Sequence, residues 1–150
     1  NSKVTGKIIN IKKGQFLAPW DVAGIYTKTE GAKEVWITER GTSFGYNRLV
    51  VDFIGMQYLI DTFGSNIIFD ATHSVQEPGG LGGSSGGARK YVPGLCRAAA
   101  GLGIKNFFLE VHENPEKAKS DGPNALYLHN FEPLIEDIAA IIDVHDKRWM

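Results

Sequence analysis

The sequence predicts an α/β fold in which a parallel sheet is wrapped by helices. Two observations support this prediction: four apolar, strand-like segments alternate strictly with four helical segments, and each strand-like segment ends in ionisable residues. Because the carboxyl ends of parallel strands lie at one edge of a sheet, we expect these ionisable residues to converge on one site. An eight-stranded barrel typically needs about 250 residues. The 150 residues therefore correspond to about half a barrel or to a small open sheet.

The first half of the chain contains two predicted strands and two predicted helices. The run KIINIKK at 7–13 is rich in β-branched residues, which is typical of a strand buried on both faces. Pro19 and Asp21 mark the start of a helix that runs to about Thr29 and stops at Gly31. EVWITER at 34–40 is the second strand, and a helix at 56–63 ends before Gly64.

The second half repeats the alternation. NIIFDATH at 66–73 is the third strand, YVPGLCRAAAGL at 91–102 is a helix, and NFFLEVH at 106–112 is the fourth strand. A final helix at about 132–147 has an apolar stripe along one face. The stripe consists of Leu134, Ile138, Ile141, Ile142 and His145.

Composition excludes several functional classes. A chain with 43% hydrophobic residues, 22% charged residues and a net charge of −1 can form one real core, and we expect residues 1–150 to be a single domain. No basic block indicates a nucleic-acid surface. No apolar run approaches the roughly 20 residues that cross a bilayer, and no hydrophobic signal region opens the chain, so we expect a cytoplasmic protein. The single cysteine, Cys96, excludes an internal disulfide and is expected to pack in the core.

Lys12 and Arg40 lie at the ends of the first two strands. A lysine and an arginine at one sheet edge can bind a phosphate and a carboxylate, because lysine supplies a point charge and guanidinium a planar fork. The two cations can equally form ion pairs with Glu39 or Asp21 at the rim of the sheet. Position alone leaves both interpretations open.

His73, Glu110 and Asp121 are candidate metal ligands. Two follow adjacent strands and the third lies in the loop SDGPN, so the three could meet around a divalent ion that still lacks a fourth ligand. Taken singly, each is also typical of a rim histidine or a turn acid.

The glycine-rich segment at 79–87 follows the third strand. It matches neither phosphate-binding glycine fingerprint. A long connection between a strand and its own helix is unusual in a scaffold, which favours a mobile lid over a linker. Ser85 and Arg89 are its candidate polar contacts to substrate.

Five segments together carry a resemblance to a known family. They are KKGQFLAPWD, TERGTSFGYNRLVVDF, FDATHSVQEPGGLGG, SGGAR and EVHENPEKAKSDGPNAL. In this order, from about Gly6 to the last helix, they closely resemble the C-terminal part of the 3-deoxy-D-manno-octulosonate 8-phosphate synthases, also called 2-dehydro-3-deoxyphosphooctonate aldolases.

The resemblance implies a fold and a reaction. The fold is a (β/α)₈ TIM barrel, of which this chain supplies about the last four βα units, and the assembly is a homotetramer. The reaction condenses phosphoenolpyruvate with D-arabinose 5-phosphate and water, releases phosphate, and feeds lipopolysaccharide synthesis in the cytoplasm.

The resemblance also implies roles for single residues. Lys12 and Arg40 match phosphoenolpyruvate-binding residues, and His73, Glu110 and Asp121 match metal ligands, with iron, zinc or manganese as the expected ion. Lys12, His73 and Asp121 are the expected catalytic residues. SDGPN is closer to the metal-dependent class of the family than to the metal-free class, which has CDGPS. The residue that decides between the classes lies on a strand that this sequence does not contain.

Two other functions remain open at this stage. One is a sister phosphoenolpyruvate-dependent sugar acid synthase on the same barrel, such as the enzyme that feeds aromatic amino acids; the long matches around TERGTSFGYN and DATHSVQ disfavour it. The other is a noncatalytic half-barrel that binds a phosphorylated ligand or associates through its open sheet edges. The chain alone could be inactive, because the first four strands of the family are absent.

Overall fold

The computed structural model describes residues 6–77 and 86–149, and it confirms an α/β fold with a parallel sheet. A 3₁₀ turn at Pro19–Val22 leads into the first helix. In chain order the elements are β1 (Ile8–Lys12), α1 (Ala23–Tyr26), β2 (Glu34–Glu39), β3 (Thr42–Ser43), β4 (Leu49–Val50), α2 (Phe53–Phe63), β5 (Ile67–Asp70), β6 (Gln76–Glu77), β7 (Gly86–Gly87), α3 (Val92–Leu102), β8 (Asn106–Phe108), β9 (Val111–His112), β10 (Leu126–Tyr127) and α4 (Phe131–Trp149).

The main sheet has the order β1-β2-β5-β8, with every neighbouring pair parallel. Its register aligns Lys12 with Thr38 and Asp70 with Phe108, so the carboxyl ends of the strands share one edge. Within the described ranges β1 and β8 are the two edge strands, each with a neighbour on one side only, and the sheet is open. The side chains at the carboxyl edge form the candidate site.

The core lies between the sheet and the helices. β2 and β5 contribute Ile37 and Phe69, which are fully buried. The helices contribute a second set of buried side chains, consisting of Met56, Leu59, Val92, Cys96, Ala99, Ala100, Leu134 and Ile138. Two of the residues expected on the apolar stripe of the last helix, Leu134 and Ile138, are therefore core residues.

Two helix ends follow from local chemistry. Asp52 accepts a hydrogen bond from the Gly55 backbone N–H and so caps α2, which begins at Phe53 rather than at 56. α3 ends at Gly103, whose φ of +105° favours glycine and lets the chain turn back into β8. No helix in the described ranges is long and apolar enough to cross a membrane.

All four predicted strands are shorter than expected, the third and fourth by the most. The third strand ends at Asp70, because the Asp70 carboxylate accepts the His73 backbone N–H and draws the chain into a 3₁₀ turn at His73–Val75. The predicted strand 106–112 is divided: β8 pairs with β5, whereas β9 pairs with β10. The change of partner follows from Glu110, whose backbone N–H donates to Thr72 Oγ1 and whose carbonyl accepts from Leu126.

Candidate metal and anion site

Asp70 is the central residue at the carboxyl edge of the sheet. Its side chain is fully buried at the end of β5, and its Oδ2 lies 2.7 Å from Lys12 Nζ and 2.8 Å from His73 Nδ1. Its Oδ1 accepts from the Thr72 hydroxyl at 3.1 Å and from the His73 backbone N–H at 3.0 Å. Burial alone would raise the pKa of this carboxyl, but the hydrogen bonds from His73 and Lys12 outweigh burial and hold the pKa below its usual range.

Lys12 is therefore ion-paired, with a partner that the sequence did not indicate. The rim partners expected for it were Glu39 and Asp21, whereas the structure places its Nζ on Asp70 and 4.2 Å from the centre of the Phe108 ring. The side chain remains 38% exposed, so its ammonium is still accessible to a bound anion.

His73, Glu110 and Asp121 are brought together as expected. His73 Nε2 lies 3.3 Å from Glu110 Oε2 and 3.8 Å from Asp121 Oδ2. One ligand atom from each residue lies within 4.8 Å of the others. Asp121 has a φ of +52°, which is an uncommon backbone conformation for a residue other than glycine.

This donor set fits a divalent transition metal. The Asp70 carboxylate can only accept from His73 Nδ1, so in the neutral imidazole the lone pair is on Nε2, the nitrogen that faces the two carboxylates. Two carboxylates so close together repel each other unless a cation lies between them. One imidazole nitrogen and two carboxylate oxygens are ligands that zinc, iron and manganese accept, and three ligands leave positions open for a further group.

Arg40 lies beside this group and makes no ion pair among the described residues. Its Nη2 donates to the His73 carbonyl at 3.4 Å and to Gln76 Oε1. Its Nε is buried and has no hydrogen-bond partner in the described part of the chain. A buried, unsatisfied guanidinium N–H is unfavourable unless a ligand accepts from it, so this donor fits an anion.

A second ion pair at the ends of β1 and β2 joins Lys13 to Glu39. Both side chains are almost completely buried, and Lys13 Nζ is 3.3 Å from Glu39 Oε2. Lys13 also donates to the Leu17 carbonyl at 3.0 Å, and Glu39 accepts from the Gly41 N–H at 2.7 Å. The pair thus fixes the two loops that follow Lys12 and Arg40.

The remaining predicted contacts have different outcomes. Arg89 donates to Glu116 at 2.9 Å and to the Gly122 carbonyl next to Asp121, and it stacks over the Tyr127 ring. Ser85 and most of the predicted lid, residues 79–85, lie outside the described residues. Gly86 and Gly87 form β7, which pairs with β6.

Cys96 is a core residue, as expected. It is fully buried in α3, and burial raises the pKa of its thiol to about 12, partly opposed by the charge of Arg97. A thiol with so high a pKa is not a reactive nucleophile at neutral pH.

Two polar residues of the site, Asp70 and Gln76, were not assigned a role from the sequence. The sequence does offer a signal for Asp70, which is an acid at the end of a buried strand, three residues before a candidate ligand. Carboxylates commonly accept from the second ring nitrogen of a metal-binding histidine and so orient it. No local pattern marks Gln76, which reaches the site only through contacts to Arg40 and Asp121 in distant segments.

Comparisons with known proteins agree with the resemblance. Residues 2–143 match the family model described as the DAHP synthetase I family. A 2-dehydro-3-deoxyphosphooctonate aldolase from Cyanothece sp. (strain PCC 7425 / ATCC 29141) is 55% identical over 139 residues, which are 91% of this chain and 50% of the relative. Proteins of the same name from Desulfosudis oleivorans and Rhodopseudomonas palustris (strain ATCC BAA-98 / CGA009) are 57% and 51% identical, over 91% and 96% of this chain. The chain spans about half the length of these curated relatives.

Proposed function

Because the chain belongs to the DAHP synthetase I family, we propose that it forms the C-terminal half of a (β/α)₈ barrel that condenses phosphoenolpyruvate with D-arabinose 5-phosphate and water. The products are 3-deoxy-D-manno-octulosonate 8-phosphate and inorganic phosphate. The observation that supports this most directly is that a buried Arg40 N–H, which has no partner among the described residues, lies at the same end of the sheet as a set of three candidate metal ligands.

Lys12 and Arg40 have the chemistry to hold phosphoenolpyruvate. Its carboxylate and phosphate are negatively charged acceptors. They can accept hydrogen bonds from Arg40 Nε and from the partly exposed Lys12 ammonium. Asp70 keeps Lys12 at the edge of the sheet and screens its charge when no anion is bound. Holding the enol phosphate in one orientation lowers the entropic part of the barrier when its carbon and a water molecule react.

His73, Glu110 and Asp121 would hold the divalent metal, with iron, zinc or manganese as candidates. When bound, the metal would supply a Lewis acid that polarises the sugar aldehyde or a water molecule. Asp70 orients His73 through Nδ1, so in the neutral imidazole Nε2 carries the lone pair and is directed to the metal position. Lys12, His73 and Asp121 are accordingly the proposed catalytic residues.

The sugar phosphate is the proposed second substrate, with Arg89 and Ser85 as contacts. Arg89 is tied to the loop of Asp121 through the Gly122 carbonyl, which puts a cation beside the metal set. A phosphate would replace the exposed Glu116 as a partner of Arg89.

The proposed assembly is a homotetramer in the cytoplasm, with residues 1–150 acting as one domain. Exposed apolar side chains on the segments around β1, β3–β4 and α2 support association, since clustered exposed apolar groups mark protein interfaces. These side chains are Phe16, Trp20, Phe44, Tyr46, Ile54 and Tyr58.

The sister synthase that feeds aromatic amino acids is the weaker alternative. The description of the matching family model names that activity, but the relatives that are 51–57% identical carry the octonate aldolase name. A noncatalytic half-barrel is the other alternative, and turnover separates it from the proposal.

The test is phosphate release from phosphoenolpyruvate on addition of D-arabinose 5-phosphate. It would use the 150-residue chain and a chimera in which this chain follows the N-terminal half of the Cyanothece relative, each with and without a chelator. We expect turnover in the chimera that is lost with chelator and restored by added metal. His73→Ala should reduce turnover by more than about 100-fold, because removing even a partner of a metal ligand often reduces activity 10–100-fold. The exposed His129→Ala is the matched control.

Two results would contradict the proposal. A folded chimera with no turnover, measured beside the active relative and with metal added, would favour the noncatalytic half-barrel. Turnover with another sugar phosphate but not with arabinose 5-phosphate would favour the sister synthase.

A further inference from the structure

Gln76 joins the anion-binding half of the candidate site to the metal-binding half. Its Oε1 accepts a hydrogen bond from Arg40 Nη2, and its Nε2 donates to Asp121 Oδ1 at 2.7 Å. The three side chains come from segments separated by at least 36 residues, so no local structure requires this contact. A single amide thus contacts one proposed substrate residue and one proposed metal ligand.

The backbone of Gln76 is held from two sides. Its N–H donates to the His73 carbonyl, and its strand β6 pairs with β7 so that Gln76 lies opposite Gly87. Gly87 in turn packs so closely on the buried Asn124 that a Cβ at position 87 would overlap the Asn124 amide. Because the main chain is fixed in this way, the amide has little freedom to follow either partner away from the other.

The amide also suits both partners chemically. Arg40 offers only donors, and the carboxylate of Asp121 offers only acceptors, so the residue between them must accept at one end and donate at the other. A carboxylate at position 76 would repel Asp121, and an apolar side chain would remove the acceptor for Arg40 Nη2 and the donor to Asp121 Oδ1. With Oδ1 occupied by Gln76, Oδ2 is the oxygen that faces His73 Nε2, at 3.8 Å.

We propose that Gln76 is a positioning residue that couples anion binding at Arg40 to metal binding at Asp121. The inference rests on the proposed function and adds a linkage between its two parts. An anion on Arg40 fixes the guanidinium, the guanidinium fixes the amide, and the amide presents Asp121 to the metal. By reciprocity, a metal on Asp121 must then tighten anion binding by the same factor.

The test measures metal binding without turnover. Co²⁺ would be titrated into the metal-free chimera described above while its visible absorption is followed, with and without phosphoenolpyruvate. In the unaltered protein we expect phosphoenolpyruvate to tighten Co²⁺ binding. In Gln76→Met, which keeps the length and removes both hydrogen bonds, the Kd for Co²⁺ should rise by about 10-fold or more. The tightening by phosphoenolpyruvate should disappear.

A matched control and a second variant complete the test. Gln57 makes an exposed hydrogen bond to Asp61 on α2, so Gln57→Met should leave both the Kd and the coupling unchanged. Gln76→Glu keeps an acceptor for Arg40 but opposes Asp121, so it should lose the coupling while phosphoenolpyruvate still binds. If circular dichroism shows that Gln76→Met does not fold, Gln76→Glu alone tests the coupling.

The possible failures are distinguishable. If the unaltered chimera binds no Co²⁺, the proposed metal site is wrong and the coupling with it. If it binds Co²⁺ and phosphoenolpyruvate, but a folded Gln76 variant keeps the same coupling factor, the proposed function stands and the role of Gln76 is overturned.

Discussion

At the scale of single residues, the carboxyl edge of the sheet contains two cation pairs with different surroundings. Lys12 is partly exposed and shares the buried Asp70 with His73, so a substrate anion can compete for it. Lys13, the next residue, is almost fully buried and paired with Glu39. Because the Lys12 side chain is 38% exposed and the Lys13 side chain is buried, only Lys12 can meet a substrate.

The buried pair predicts a large effect on stability. Lys13→Met leaves Glu39 buried and unpaired, which should lower the free energy of unfolding by about 3–5 kcal/mol. Adding Glu39→Gln should recover much of the loss, because the amide oxygen can still accept from Gly41. Urea unfolding of the chimera, followed by tryptophan fluorescence, measures both changes.

The control for this prediction is an exposed pair. Lys147 contacts Asp143 on the surface of α4, so Lys147→Met should change stability little. An equal effect of Lys13→Met and Lys147→Met would show that the buried pair contributes nothing specific.

At the scale of elements, α3 illustrates how one residue type acts differently at two positions. Gly94 is exposed within the helix, and a Cβ there would meet no atom within 4 Å. Gly103 ends the helix at a φ of +105°, and a Cβ there would lie 3.0 Å from the His145 ring. Only the second position requires glycine.

This contrast predicts that alanine at the two positions changes the stability of the protein in opposite directions. Gly103→Ala should destabilise the protein by about 1–2 kcal/mol, because an L residue is strained in the left-handed region. Gly94→Ala should stabilise it by roughly 0.5–1 kcal/mol, because alanine loses less backbone entropy in a helix. Urea midpoints of the two variants provide the measurement, and equal shifts would refute the assignment of Gly103 as the helix stop.

The elements that could be predicted from sequence are those with a strong local signal. The four apolar strand starts, the glycine stop of α3 and the stripe of α4 depend on local pattern, and they lie where that pattern indicated. The approach of His73 and Glu110 followed from the ends of adjacent parallel strands, whereas Asp121 comes from the loop SDGPN and could only be offered as a third member of the group. By contrast, the division of 106–112 into β8 and β9 depends on Thr72 and Leu126, and the partner of Lys12 depends on a strand 58 residues away. Such contacts leave no mark in the local sequence.

At the scale of the whole molecule, the open sheet has consequences for solution behaviour. β1 and β8 are unpaired edges within the described residues, and Ile8 on β1 is 55% exposed. Open, apolar strand edges favour pairing with another chain. In a complete barrel the same edges would be covered by further strands.

We therefore expect the 150-residue chain alone to associate. Light scattering should show a mass that grows with concentration, whereas the chimera should give one defined oligomer. Ile8→Lys should reduce the association of the chain alone, because a lysine on an edge strand opposes pairing. A monodisperse monomer at all concentrations would contradict the expectation.

The antiparallel pairing of β6 with β7 bears on how this protein can vary. The chain leaves the site at Glu77 and returns at the directly opposite Gly86, while Gln76 and Gly87 stay aligned one step further in. A substitution that breaks this short ladder would therefore disturb Gln76 and the segment that leads to Arg89 together, so the contact to Arg40 and the contact to the loop of Asp121 would be weakened by one change.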